Sequence, residues 1–202
     1  MELVGPWFSP FTRRVGVTLN LLGIEYHHNA LHAFQERERV KSFNPMGKVP
    51  ILVLGDGDRL VDSSAIADFL DEQVGPERAL LPPSGRERRD ALQIISFALA
   101  TIEKAGAVYY EFAKETPGAP ALDRVDAVGQ TLAGLGMLED FAQDGWFGGD
   151  RPNHVDIAAV IAIQTAKSVL QDAVDLTLYP KLSALSARAM EMPAFTATLP
   201  EM

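Results

Sequence analysis

Cysteine is absent from this 202-residue chain. Disulfides, thiolate metal sites, Cys-X-X-Cys redox chemistry and cysteine nucleophiles are excluded with it. Histidine is scarce: only His27, His28, His32 and His154 occur. His28 and His32 are four apart, but in a strand-to-loop region rather than on a helix with a glutamate, so they do not form a metalloprotease motif. The histidines are expected to be exposed, and no metal is expected. Basic charge is also in deficit, with 18 Lys and Arg against 27 Asp and Glu and a net charge of −9. That balance argues against a nucleic-acid partner, which needs a basic stripe. No run approaches the roughly 20 continuous apolar residues of a membrane span. The opening Glu2-Leu3-Val4 is strand-like and has no secretory pattern. The expectation is a cytoplasmic protein with no membrane partner. No internal repeat or low-complexity tract is present. With 47% hydrophobic and 22% charged residues, the chain has the balance of a globular protein with a sizeable core, in one large or two small domains.

The stretch from Asn44 to Leu70 organises the rest. Asn44-Pro45-Met46-Gly47 is turn punctuation feeding a short strand, Ile51-Leu52-Val53. Pro50 at the strand entrance has no N–H to donate, which fits an edge or first position. The Val49–Pro50 bond is a candidate for the cis form, which would turn the Val49 N–H and C=O outward. Asp62, Ser63 and Ser64 then precede an apolar-periodic run through Ile66, Phe69, Leu70 and Val74, the pattern of a helix start. Exposed peptide groups beside a helix N-terminus suit a peptide-like anion.

Residues 2–5 read as a buried strand. Ser9 is placed as an N-cap with Pro10 at the first helical position, and Gly23 as the stop. A strand over 24–30, a short helix over 35–43 and a hairpin through Gly55-Asp56-Gly57-Asp58 follow. The proline-rich stretch 76–84 reads as a linker between a domain at 1–75 and an all-helical domain at 85–202. In the latter, Leu92, Ile95, Leu99, Ile102, Gly106 and Tyr109 mark a helical seam between Arg86 and Lys114, ended by Thr116-Pro117-Gly118-Ala119-Pro120. Gly129, Gly134 and Gly136 in the next helix permit close packing. Asn153 and Asp156 form a capping-box-like start to a largely apolar helix, which makes Asp156 structural.

Taken locally, Ser9 is a helix cap, Asp62 and Ser63 are another, and Pro50 is an edge-strand proline. Together the three segments resemble the glutathione transferase family, most specifically over the first 75 or so residues. Ser-Pro-Phe-Thr-Arg-Arg-Val from Ser9 resembles the active-site segment of its serine-type members. The resemblance implies a thioredoxin-like α/β domain followed by a helical bundle, and a homodimer. It implies that Ser9 donates to the sulfur of glutathione, a co-substrate, and that Val49 beside Pro50 pairs with its cysteinyl part. Asp62 and Ser63 then hold its γ-glutamyl end, Asp62 standing where Glu or Gln is usual. Lys48 is a candidate for a ligand carboxylate, and Thr12 is a second hydroxyl held in reserve for Ser9. Of Arg13 and Arg14, at least one is expected to face solvent. Trp7, Phe11, Tyr109 and Tyr110 are candidates for the apolar wall of a small electrophile's pocket. A free thiol has a pKa near ~8.5, so a donor at a helix N-terminus would favour its nucleophilic thiolate. The activity implied is conjugation to an apolar electrophile, as in detoxification. A maleylacetoacetate isomerase-like reaction and a non-catalytic binding module are the alternatives.

Overall fold

The computed structural model describes residues 1–113 and 121–200. The expected break at Thr116 to Pro120 lies outside them. The chain divides into two units, Met1–Pro83 together with the segment from Met190, and Ser84–Ala189.

The first unit is a four-stranded sheet with helices. Its strands are β1 (Glu2–Val4), β2 (His27–Asn29), β3 (Ile51–Val53) and β4 (Arg59–Val61), in the order β2-β1-β3-β4. β1 pairs parallel with β2 and antiparallel with β3, which forms the expected hairpin with β4. The parallel pair needs a crossover, supplied by α1 (Pro10–Leu22). Helices α2 (Arg37–Phe43) and α3 (Ser63–Val74) complete the thioredoxin-like order. Val4, Leu31, Val40 and Ile51 form a core cluster.

The proline-rich segment after α3 is held in this unit. The Asp71 carboxylate accepts from the backbone N–H groups of Leu80 and Leu81 at 2.8 and 3.1 Å, and both leucines are buried. The C-terminal segment also belongs here, although its position in the chain groups it with the helical domain. The Asn20 side chain donates to the Ala194 carbonyl at 3.1 Å, and Phe195 is fully buried in α8 (Pro193–Thr196), which packs on α1.

The second unit is all helical: α4 (Gly85–Ala113), α5 (Ala121–Phe141), α6 (His154–Leu170) and α7 (Pro180–Ala189). α4 packs on both α5 and α6. Its buried stripe is Ile95, Ala98, Ile102, Ala105 and Val108, whereas Leu92 and Tyr109 of the expected seam are exposed. Alanines let the helices approach, so the contact face follows the small residues. Of the three α5 glycines only Gly134 serves close packing, because a Cβ there would collide with Thr101 of α4; Gly129 and Gly136 face open space. An 18-residue window of α4 within Gly85–Tyr110 has a mean hydropathy of 1.4, long and apolar enough to cross a membrane by length and composition alone, a test that the core helix of a helical bundle also passes. No run of about 20 continuous apolar residues is present in it: Gln93, Glu103 and Lys104 interrupt the stretch, and the helix starts with the charged Arg86 to Asp90.

α6 is buried on nearly every side. The Asn153 side chain accepts from the N–H groups of Val155 and Asp156, and the Asp156 carboxylate accepts from the Asn153 N–H at 2.8 Å, closing a capping box. The same carboxylate accepts from the Phe147 N–H at 2.8 Å, tying the preceding loop to the helix. Burial pushes its pKa up to about 6 against these backbone donors. His154 is 1% exposed, which corrects the expectation of exposed histidines; it occupies the first turn of this buried helix.

Candidate active site

Ser9 caps α1. Its backbone is extended, at φ −74° and ψ 116°, and its Oγ accepts from the Thr12 N–H at 3.3 Å. Pro10 follows in the first turn and needs no N–H partner there. The cap uses an oxygen lone pair of the half-buried hydroxyl. The hydroxyl proton has no acceptor among the described residues and can be donated outward. The serine thus sits at the positive end of a 13-residue helix with a proton to give.

The Thr12 side chain lies beneath this cap, fully buried, and its Oγ1 has no hydrogen-bond partner among the described residues. It faces Gly5, where φ is +134° and a Cβ would collide with Thr12 Oγ1 and lie 2.9 Å from Val49 Cβ. Gly5 is therefore the residue that lets the end of β1, the first turn of α1 and the approach to β3 close on one another. Burial under Gly5 removes Thr12 as a substitute for Ser9 at the surface.

The Val49–Pro50 bond is cis. Among the described residues neither the N–H nor the C=O of Val49 takes part in a hydrogen bond. Asn44 holds the loop before it: its Nδ2 donates to the Lys48 carbonyl at 3.0 Å and its Oδ1 accepts from the Met46 N–H at 3.1 Å. The sequence marked Asn44 only as turn punctuation; its burial beside a turn is what makes it a brace. The Lys48 side chain is exposed.

At the start of α3, Asp62 has φ 73° and ψ 130°, a left-handed backbone seldom adopted by residues other than glycine. Such strain costs on the order of 1–3 kcal/mol and tends to collect at functional sites. Asp62 Oδ1 accepts from the Ser64 N–H at 2.7 Å. Arg14 of α1 donates through Nη1 to Ser63 Oγ at 3.0 Å and Ser64 Oγ at 3.1 Å. Arg13 and Arg14 are 5% and 3% exposed, which corrects the expectation that one faces solvent: α1 is covered along its length, and both guanidinium groups lie within that cover. Desolvation lowers each to a pKa of about 10, with nearby Asp62 raising that of Arg14, so both stay charged at neutral pH.

Ser9, Val49 and Ser63 are thus joined through the first turns of α1. Trp7 is differently engaged. Its ring stacks on His28 at 3.7 Å and covers Gly16, where a Cβ would lie 2.5 Å from the indole. The Phe11 side chain is half-buried. Tyr109 and Tyr110 form an edge-on pair at 5.6 Å on α4 of the second unit, and burial raises the Tyr110 pKa, followed by the charge of Tyr109.

A cis-proline strand entrance, a strained helix start and a serine-capped first helix on a thioredoxin-like sheet define the class. The model for the glutathione S-transferase N-terminal domain matches residues 8–73. A maleylpyruvate isomerase of Ralstonia sp. is 31% identical over 212 residues, covering 99% of this chain and 97% of that relative. A glutathione S-transferase of Triticum aestivum is 29% identical over 204 residues, covering 98% of this chain and 92% of the relative. Among solved structures, a glutathione S-transferase of Methylobacterium radiotolerans in complex with glutathione sulfonate superposes with a TM-score of 0.90 at 25% identity, over 100% of this chain and 95% of that one. The chain belongs to the glutathione S-transferase family.

Proposed function

We propose that this protein binds glutathione on its first unit and activates the thiol for addition to an apolar electrophile. The observation that carries this reading is the Ser9 hydroxyl, whose oxygen is committed to capping α1 while its proton is left to donate. A thiolate accepting from Ser9 at the helix start would be favoured over the thiol, and its nucleophilicity raised at neutral pH. The Val49 N–H and C=O pair with the cysteinyl peptide group, Asp62 takes the glutamyl amine, and Ser63 takes the adjoining carboxylate. Lys48 is assigned to a further ligand carboxylate. Phe11, Trp7, Tyr109 and Tyr110 are candidates for contacts to the electrophile, with Trp7 the weakest because its ring is already stacked on His28. The catalytic contribution is positioning and charge stabilisation rather than covalent chemistry by the protein.

The match to a maleylpyruvate isomerase over nearly its whole length favours a second reading. There glutathione adds to a cis-dicarboxylic substrate, a bond rotates, and glutathione leaves. Both readings use the same thiolate. Incubation with a nitro-substituted aryl halide, and separately with maleylpyruvate, tests them by glutathione balance. Stoichiometric loss of glutathione with the first supports conjugation; turnover of the second without loss supports isomerisation. Binding of glutathione with turnover of neither would leave a non-catalytic module. Self-association into a homodimer belongs to the same reading, and a monomer mass in sedimentation would remove it.

A further inference from the structure

The turn that carries Ser9 leaves the sheet at Gly5, and β2 holds it there by one backbone bond and one side chain. The Gly5 N–H donates to the Asn29 carbonyl at 2.9 Å. The Leu31 N–H, which would continue the parallel ladder onto the Gly5 carbonyl, turns back instead onto Asn29 at 2.8 Å. The Gly5 carbonyl is met by His28, whose Nε2 lies 2.8 Å away. A carbonyl oxygen only accepts, so His28 carries a proton on Nε2 and donates it, in the neutral and the charged ring alike. The same imidazole makes a second contact, with Trp7. The indole stacks on it at 3.7 Å with 17° between the planes, and lies over Gly16 of α1, where a Cβ would approach the indole to 2.5 Å. The Ser9 N–H closes the turn by donating to the Pro6 carbonyl at 3.0 Å. Two anchors of the turn, at Gly5 and at Trp7, thus converge on one half-buried histidine of the edge strand β2.

We propose that His28 is a positioning residue for the Ser9 hydroxyl. Its Nε2–H and its ring fix the turn from Gly5 to Ser9, and with it the place from which the Ser9 proton is given. This rests on the glutathione reading and adds to it a residue that acts through the turn rather than on the ligand. Gly5, at φ +134° and with no side chain of its own, gives the turn no local support, so the brace has to come from another element. The need for one is geometric. A hydrogen bond weakens steeply as its angle falls below ~120°. The Ser9 oxygen is already committed to the Thr12 N–H, so the backbone position decides where the remaining proton can reach.

The test is the ultraviolet thiolate band of bound glutathione against pH, together with calorimetric affinity for S-methylglutathione, which has no thiol to ionise. The proteins are the parent, His28→Phe and His28→Gln, with melting temperature recorded for each. Phenylalanine keeps a ring for Trp7 and removes the donor; glutamine keeps a donor for the Gly5 carbonyl and removes the ring. His28→Phe should raise the midpoint of the band by on the order of one pH unit, the scale of a weakened hydrogen bond to a charged group. Its affinity for S-methylglutathione should stay at the parent's value. His28→Gln should bring the midpoint most of the way back. An unchanged midpoint in His28→Phe, even with a lowered melting temperature, would mark His28 as merely structural and overturn the proposal. A matching loss of S-methylglutathione affinity would overturn it too, as would a midpoint in His28→Gln no lower than in His28→Phe. If His28→Phe does not fold, His28→Leu, which also lacks the donor, takes its place with the same outcomes. A parent that binds neither ligand overturns the glutathione reading and this proposal with it, whereas a binding parent with an unmoved midpoint in the variant overturns the proposal alone.

Discussion

Ser9 divides its hydroxyl between two duties: the oxygen caps α1, and the proton is available to a ligand. Substitution can separate them. Ser9→Ala should lose the cap, at about 1 kcal/mol, whereas glycine at an N-cap costs only a few tenths. Ser9→Gly should therefore melt near the parent and still lose on the order of 10²-fold in kcat, the scale of removing one stabilising donor. Thermal denaturation and steady-state rates on the same samples check this. Gly5 makes a different demand. With φ at +134° and Thr12 and Val49 beside it, Gly5→Ala should destabilise the first unit by about 2 kcal/mol or more, read as a fall in chemical-denaturation midpoint. The Ser9 cap was legible because Ser-Pro before an apolar period is a local signal. Arg14 was not legible as a clamp, because its partners Ser63 and Ser64 lie about fifty positions away, and an arginine pair beside a helix start otherwise suggests surface.

At the scale of elements, α6 shows what a local pattern can and cannot give. Asn153 and Asp156 at capping-box spacing foretold the helix start, and the box is present. The second bond of Asp156, to the Phe147 N–H, spans a loop whose path no spacing rule gives. Asp156→Ala should remove both bonds and cost about 3 kcal/mol, combining a lost cap with a buried N–H left unpaired. The pH dependence has a defined sign. The folded carboxyl holds its proton up to about pH 6, above the ordinary aspartate range. Its contribution to stability is fully present below the unfolded pKa of about 4 and is lost as pH rises through about 6. The stability gap between parent and the permanently neutral Asp156→Asn should therefore narrow from pH 4 to pH 7, by up to about 3 kcal/mol. A gap that widens would contradict the burial cause. The seam of α4 was only partly legible. The 3–4 spacing announced a helix, but large residues drew the expected face toward Leu92 and Tyr109, while packing selected Ala98 and Ala105.

For the whole molecule, the order of strands and helices could be followed from turn residues, caps and hydrophobic period. The end of the chain could not: Phe195 and Ala194 return to α1, a long-range contact that local composition does not encode. The stretch after α3 is similar. Its prolines suggested a linker, but Asp71 binds it at Leu80 and Leu81. Asp71→Ala should leave two buried N–H groups unpaired and lower stability by about 2 kcal/mol or more, with faster proteolysis near Pro82 as the local readout. The central claim concerns the chemistry that this scaffold supports, namely a thiolate held by Ser9. The direct measurement is the ultraviolet thiolate band of bound glutathione against pH, for the parent and Ser9→Gly at saturating ligand. The account predicts a band appearing below the free-thiol pKa of ~8.5 in the parent and moving back toward it in the variant. A band with the same midpoint in both proteins, with glutathione bound, would contradict it.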